Sequence, residues 1–495
     1  MNGIGLNAFI MFLDRWSPRR VGVALAVLLC LVWIYRTGAP NQPNQPFAVP
    51  DLLKHSRLFE KPEGNRSFNL TYITSTMNLS ETFTYAQRTI KTKHFHGKRP
   101  DLTTIEEPLF SHPTPLMLSK HEPLGEVWPP FTPPLTLHIP SSPKTDTSIF
   151  SFGIATSIPR LLTSLEQLAH WLPSSGSSLH VITPPESEST PYMRHILEDS
   201  ATSLHLAVNI TPSALPFPIA YFSLIKLLYE ARASHTKWLV LTDDDTFIPS
   251  LPTLAAHLKE HYDPAEEEIV AAITDDKHQI DAWGLIPFGG GGVFISLPLA
   301  ARLIQPEIWD ICVEGMGQGQ GDGVLGQCLN TYTDIRPKFD MGLNQMDIRG
   351  DVTGLFESGR RMLTIHHWRS WFNVDIAKAS HVAAACGFEC ILQRWVFPED
   401  NIVLTNGFSI VVYPGGLNGI DLGAVEKTWD GDAARFLHHI GPLREPMDAN
   451  IKARYELVRA DVVDGGVRQL YHRPRVEGEE DGRGMDALLE LFWLL

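Results

Sequence analysis

Cysteine is scarce, with five residues in a chain of 495. Cys30 falls inside an apolar run, which leaves Cys312, Cys328, Cys386 and Cys390 as an even set able to close two disulfides. We read the pairs as Cys312 with Cys328 and Cys386 with Cys390, although four cysteines allow three pairings. The close His/Cys spacing of a structural zinc site is missing. Basic charge is also short. Lysine and arginine number 41 against 56 acidic residues, a formal net charge of -15, and no basic stripe with interleaved aromatics occurs, which argues against a nucleic-acid surface. No internal repeat is visible, and no Lys-Ser/Thr follows the glycine run at Gly289 to Gly292, so a Walker phosphate loop is excluded. What remains is ordinary globular material, 43% hydrophobic and 20% charged, long enough for two or three domains.

Near the N-terminus, Val21 to Tyr35 carries no charge and follows Arg15, Arg19 and Arg20. Fifteen residues at about 1.5 Å rise make about 22 Å, short of a ~30 Å hydrocarbon core, but Arg20 and Arg36 can snorkel. The basic flank predicts a cytoplasmic tail over 1–20, a single anchoring helix over 21–35 and a lumenal remainder. The competing reading is a cleaved signal peptide, against which the bulky Trp33 and Tyr35 count. Acceptor triplets for N-glycosylation at Asn65, Asn69, Asn78 and Asn209 fit a lumenal chain in the Golgi or ER. From 36 to 145 the chain is rich in proline and reads as a stem, although Phe83-Thr-Tyr and Leu135-Thr-Leu-His-Ile have the pattern of short strands.

Apolar runs of strand length alternate with helical spacing from Ile149 onward. Strands are expected at Ile149 to Ser157, Leu179 to Thr183, Leu204 to Ile210, Trp238 to Leu241 and Ile269 to Thr274, with an amphipathic helix through Tyr221, Leu224, Leu228 and Ala231. This alternation predicts an α/β domain over 146–375 with a mostly parallel, doubly wound sheet. Beyond Asp375 short strands joined by Pro/Gly loops predict a smaller β-rich region over 376–495.

Asp243, Asp244 and Asp245 stand where the strand from Trp238 would leave the sheet, and in such sheets ligands sit at the carboxyl ends of strands. Three adjacent acids repel one another, a cost most readily offset by a hard divalent cation such as Mn2+ or Mg2+, which can in turn hold a diphosphate. An acidic turn leading into a helix capped by Ser250 is the plainer reading. Gly289 to Gly292 would be costly inside a strand unless a ligand or another group approaches the backbone, or a bulge is needed. Asp322 is the single acid in a glycine-rich approach to a short helix, either a carboxylate facing a cleft or a helix N-cap. His366 and His367 end an apolar strand, where neighbours face opposite ways, so at most one is expected to be a ligand.

In order along the chain, KWLVLTDDDTFI, FGGGGVFISLPLA, GQGDGVLGQCL, NQMDIRGDVTGLFES and LTIHHW resemble glycosyltransferase family 31, the Fringe-like and core 1 galactosyltransferase-like enzymes, over roughly 149–371. The resemblance implies a GT-A fold and inverting transfer of a hexose or N-acetylhexosamine from a UDP-sugar to a glycan or glycoprotein hydroxyl, with β1,3 the linkage that the family suggests. It implies that Asp243 and Asp244, with Thr156, Gly290 and Gly291, contact the sugar nucleotide. Asp245, with Asp243 and with His366 or His367, would bind Mn2+. Asp322 matches the catalytic base, although Gly321 stands where many members carry a second acid. A catalytically silent lumenal lectin or chaperone of the same fold is the alternative, and the retained Asp322 argues against it.

Overall fold

The computed structural model describes residues 77–110, 114–117, 133–185, 190–315, 321–430, 440–476 and 484–495. The expected anchor at 21–35, most of the expected stem, and Asn65 and Asn69 lie outside these residues. Among the described residues no helix is long and apolar enough to cross a membrane.

Seven strands form the α/β sheet: β1 (Phe150–Ala155), β2 (Leu179–Thr183), β3 (Val208–Pro212), β4 (Trp238–Thr242), β5 (Ile269–Ala272), β6 (Phe288–Ser296) and β7 (Lys338–Phe339). Their spatial order is β3-β2-β1-β4-β6-β5-β7. Strands β1 to β4 pair in parallel, as do β5 and β7, while β6 runs antiparallel to both neighbours. The continuous apolar runs follow from burial on both faces. Trp238 and Val240 point into a core with Phe150, Phe152, Leu168 and Trp171, whereas Leu239 and Leu241 point into a second core. Helices α1 (Phe217–Ala231), α3 (Leu297–Leu303) and α4 (Gly321–Tyr332) close that second face. Each large apolar side chain so buried contributes about 1.5–3 kcal/mol. Helix α2 (Leu251–His261) begins as its residues dictate, with the Ser250 side chain accepting from Thr253 N and proline in the first turn. The order 3-2-1-4 reverses direction between β1 and β4, and the acidic stretch leaves the sheet at that crevice.

A second sheet has ten strands, more than the smaller β-rich region expected for 376–495. It is not wholly C-terminal. Thr82–Phe95 pairs in parallel with Asp486–Leu494 and with Leu135–Pro140, so these residues, expected as stem, belong to the folded body. The cause is visible in the alternation of buried and partly exposed residues along Thr82–Phe95, which supplies one apolar face. Helix α5 (Ile376–Cys386) joins the two cores, burying Ile376 and Ala379 against the α/β side and Val382 and Cys386 against the second sheet. Both disulfides form as expected, Cys312–Cys328 and Cys386–Cys390. Asn78 is exposed, and Asn209 is exposed on the edge strand β3.

Candidate active site

The turn after β4 is built by Thr246, whose hydroxyl accepts from Asp243 N at 2.9 Å and donates to the Gly290 carbonyl at 2.7 Å. One residue later, Phe247 forms an antiparallel bridge with Ile365, with both N–H to O distances 2.8 Å. That bridge carries His366 to the acids. His366 Nε2 lies 3.1 Å from Asp245 Oδ1 and 3.4 Å from Asp243 Oδ2, while its Nδ1 is 3.1 Å from the Gln345 carbonyl. A carbonyl can only accept, so Nδ1 carries the proton there and Nε2 is directed at the carboxylates. Burial lowers the affinity of His366 for a second proton, but Asp243 and Asp245 overcome it and raise its pKa to about 10. The His366 imidazole in turn holds Asp245 well below the usual carboxylate range against the burial that would raise it. The acids thus favour positive charge at this point. Two carboxylates and one imidazole nitrogen form an oxygen-rich donor set suited to a hard or borderline divalent cation such as Mn2+ or Mg2+.

The histidine pair departs from the expectation that neighbours on a strand face opposite ways. His367 has φ 59°, in the left-handed region, which ends the alternation and folds its ring back onto His366 with centroids 3.7 Å apart. Ligand atoms of Asp245, His366 and His367 lie within 4.8 Å of one another. Yet both His367 nitrogens are engaged, Nδ1 with Ser370 Oγ at 2.8 Å and Nε2 with Asp347 Oδ1 at 2.9 Å. His366 is thus the imidazole aimed at the two acids, and His367 lies against its ring.

Asp244 is held by groups of the protein itself. It accepts from the Thr156 hydroxyl, from Arg160 Nε and Nη2 at 2.7 and 2.6 Å, and from Arg369 Nη2 at 2.8 Å. These four bonds clamp two arginines at the rim of the acidic turn, and Asp244 also lines a neighbouring cavity of about 480 Å³. Thr156, which donates to Asp244, lines that cavity together with Arg160, Thr183, Phe217, Asp243 and Asp244.

Gly290 seats a side chain and also lines the cleft beside it. A Cβ there would stand 1.9 Å from the His366 ring, so only glycine lets the imidazole lie flat on β6. Gly291 lines neither cleft; its N–H donates to Gln345 Oε1 at 2.8 Å and its carbonyl accepts from Thr364. The glycine run thus serves a bulge in β6 and the seating of His366. Gly290→Ala is expected to cost about 1–3 kcal/mol and, by displacing His366, to weaken Mn2+ binding about tenfold. Thermal melts with and without Mn2+ check both effects.

Asp322 lies in the first turn of α4, accepting from Gly323 N at 2.8 Å and Gly289 N at 3.3 Å. Burial, and next the charge of Asp243, push its pKa up to about 6. Asp243, Asp322, His366, His367, Tyr221 and Trp371 all line one cleft of about 420 Å³. Asp243 and Phe217 also line the 480 Å³ cavity, so the two spaces meet at Asp243. Asp243, Asp322 and both histidines therefore share one cleft, with Asp245 buried against His366, while Asp244 and Thr156 line the adjoining cavity and Gly291 lines neither. Sequence reasoning missed Asp347, Arg160, Arg369 and Tyr221. The first belongs to the NQMD segment, but nothing in its spacing signals a partner twenty residues away.

Residues 283–377 match a family described as "Protein of unknown function, DUF604", a span that holds the glycine run, Asp322 and both histidines. Comparison with curated proteins finds no match. Among solved structures, the chain is similar to a mannosyltransferase, PcManGT, from Pyrobaculum calidifontis in complex with GDP-Man and Mn2+, at 15% identity and TM-score 0.29, covering 40% of this chain and 57% of that one. It is similar to mouse xyloside xylosyltransferase 1 at 11% identity and TM-score 0.30, covering 45% of this chain and 98% of that one. A third is the galactosyltransferase LgtC, crystallised with donor and acceptor sugar analogues, at 12% identity and TM-score 0.30, with 48% and 90% covered.

Proposed function

We propose that this chain is an inverting, divalent-metal-dependent glycosyltransferase that moves a sugar from a UDP-sugar to a hydroxyl of a glycan or glycoprotein. The observation that carries the reading is the convergence of Asp243 and the buried Asp245 on His366, beside a cleft that Asp243 and His366 line together with Asp322. Bound at Asp243, Asp245 and His366, Mn2+ would neutralise charge developing on the departing diphosphate. The nucleoside fits the neighbouring cavity at the β1/β4 crevice, lined by Thr156, Thr183 and Arg160. Asp322, as general base, takes the proton of the acceptor hydroxyl while its oxygen forms the new bond to the anomeric carbon and the bond to UDP breaks. A chain anchored through 21–35 with this site in the Golgi or ER lumen completes the proposal, supported by the basic flank, the acceptor triplets and the cysteine usage.

Acceptor-stimulated UDP release in the presence of Mn2+ tests the activity. Release that ignores acceptors would instead mark a hydrolase, and no release a lectin. Because only ionised Asp322 can take a proton, kcat/KM is expected to rise with pH through about 6 and then level. A cation on Asp243 offsets one cause of the raised value, so the acid limb moves lower at saturating Mn2+. A profile flat from pH 5 to 7 with subsaturating and saturating metal would assign the proton to another group.

A further inference from the structure

Tyr221 is buried on α1, 2% exposed, and lines the cleft beside Asp243 and Asp322. Its hydroxyl has no hydrogen-bond partner among the described residues. Such a group forfeits its hydration on folding and regains nothing, a cost of about 1–3 kcal/mol. The surroundings make room for it at two points. A Cβ at Gly289 would stand 2.5 Å from the Tyr221 hydroxyl oxygen, and one at Gly321 would stand 2.6 Å from the Tyr221 Cβ. Glycine at both positions leaves the ring seated between β6 and the start of α4, with its oxygen beside the strand residue whose N–H holds Asp322. Burial, and then the charges of Asp243 and Asp322, push its pKa well above the usual tyrosine range, so the oxygen keeps its proton and can donate.

We propose that Tyr221 is a specificity-determining residue whose hydroxyl donates a hydrogen bond to the transferring sugar of the bound donor. The inference rests on the glycosyltransferase reading. The partner is the sugar and not the nucleotide, because Tyr221 lines the cleft of Asp322, whereas the 480 Å³ cavity that suits the nucleoside lacks it. A hydroxyl left unpaired in the free protein and paired in the complex discriminates strongly, since a donor lacking the matching acceptor leaves it unsatisfied.

The test uses Tyr221→Phe, which removes the hydroxyl and keeps the ring. Titrations with Mn2+ present compare UDP with UDP-glucose, UDP-galactose and UDP-N-acetylglucosamine on the wild type and the variant. The expected result is unchanged affinity for UDP, a roughly tenfold loss for the UDP-sugar that the wild type prefers, and a melting point of the free protein equal to or above the wild type. Equal losses for UDP and UDP-sugar, no loss for either, or a lowered melting point of the free protein would each overturn the role of Tyr221 while leaving the transferase reading intact. A wild type that binds none of the four ligands would overturn the transferase reading and this inference with it.

Discussion

Asp322→Asn lowers transfer by about 10²–10⁴ while leaving Mn2+-dependent UDP binding within about threefold of the wild type, as the loss of a general base requires. The substitution is nearly isosteric, and its single carbonyl oxygen can still accept from one of Gly289 N and Gly323 N, which in the wild type each hold a different carboxylate oxygen. Stability moves the opposite way. A carboxyl whose folded pKa is raised to about 6 favours the folded state when protonated, and that contribution, full below the unfolded value near 3.8, is lost as pH rises through about 6. Asn carries no such loss, so the variant is expected to be more stable than the wild type above about pH 6, by on the order of 1–3 kcal/mol. Reduced activity together with a raised melting point at pH 7.5 distinguishes a catalytic carboxylate from a structural one. Near-normal turnover in Asp322→Asn would end the assignment.

The second large effect falls on the imidazole. His366→Ala removes the one ring nitrogen directed at both Asp243 and Asp245, and is expected to weaken Mn2+ binding at least about 100-fold and abolish metal-dependent UDP binding. His367→Ala is expected to cost less, about tenfold, because its nitrogens serve Ser370 and Asp347. Calorimetric Mn2+ titration of both variants decides the order. If His367→Ala were the more damaging, the ligand would be the wrong histidine.

The chain itself disclosed much of this site. An apolar run ending in three aspartates, a glycine-led helix with one acid, and paired histidines after a strand are each legible as local pattern. Local pattern failed where a side chain's meaning depends on a distant partner. Asp244 looks like its neighbours in the acidic triplet, yet Arg160 and Arg369 occupy it. Strict alternation separated His366 from His367, yet a left-handed residue stacks them. The stretch 82–140 read as stem because proline-rich segments surround its strands, and one of the two parallel partners of Thr82–Phe95 lies some four hundred residues away.

Burial on both faces of the α/β sheet demands uninterrupted apolar strands, so charge can enter only where a strand ends. That requirement is written in the residues alone, and it determined where β4 stops and where the acids begin. Which acids share a space was decided by the packed molecule. Asp243, Asp322 and His366 sit on separate segments, and the β4–β6 pairing, the Phe247–Ile365 bridge and the seat at Gly290 bring them to one cleft. Those contacts depend on shape and backbone conformation over long chain separations, which no local window of sequence contains.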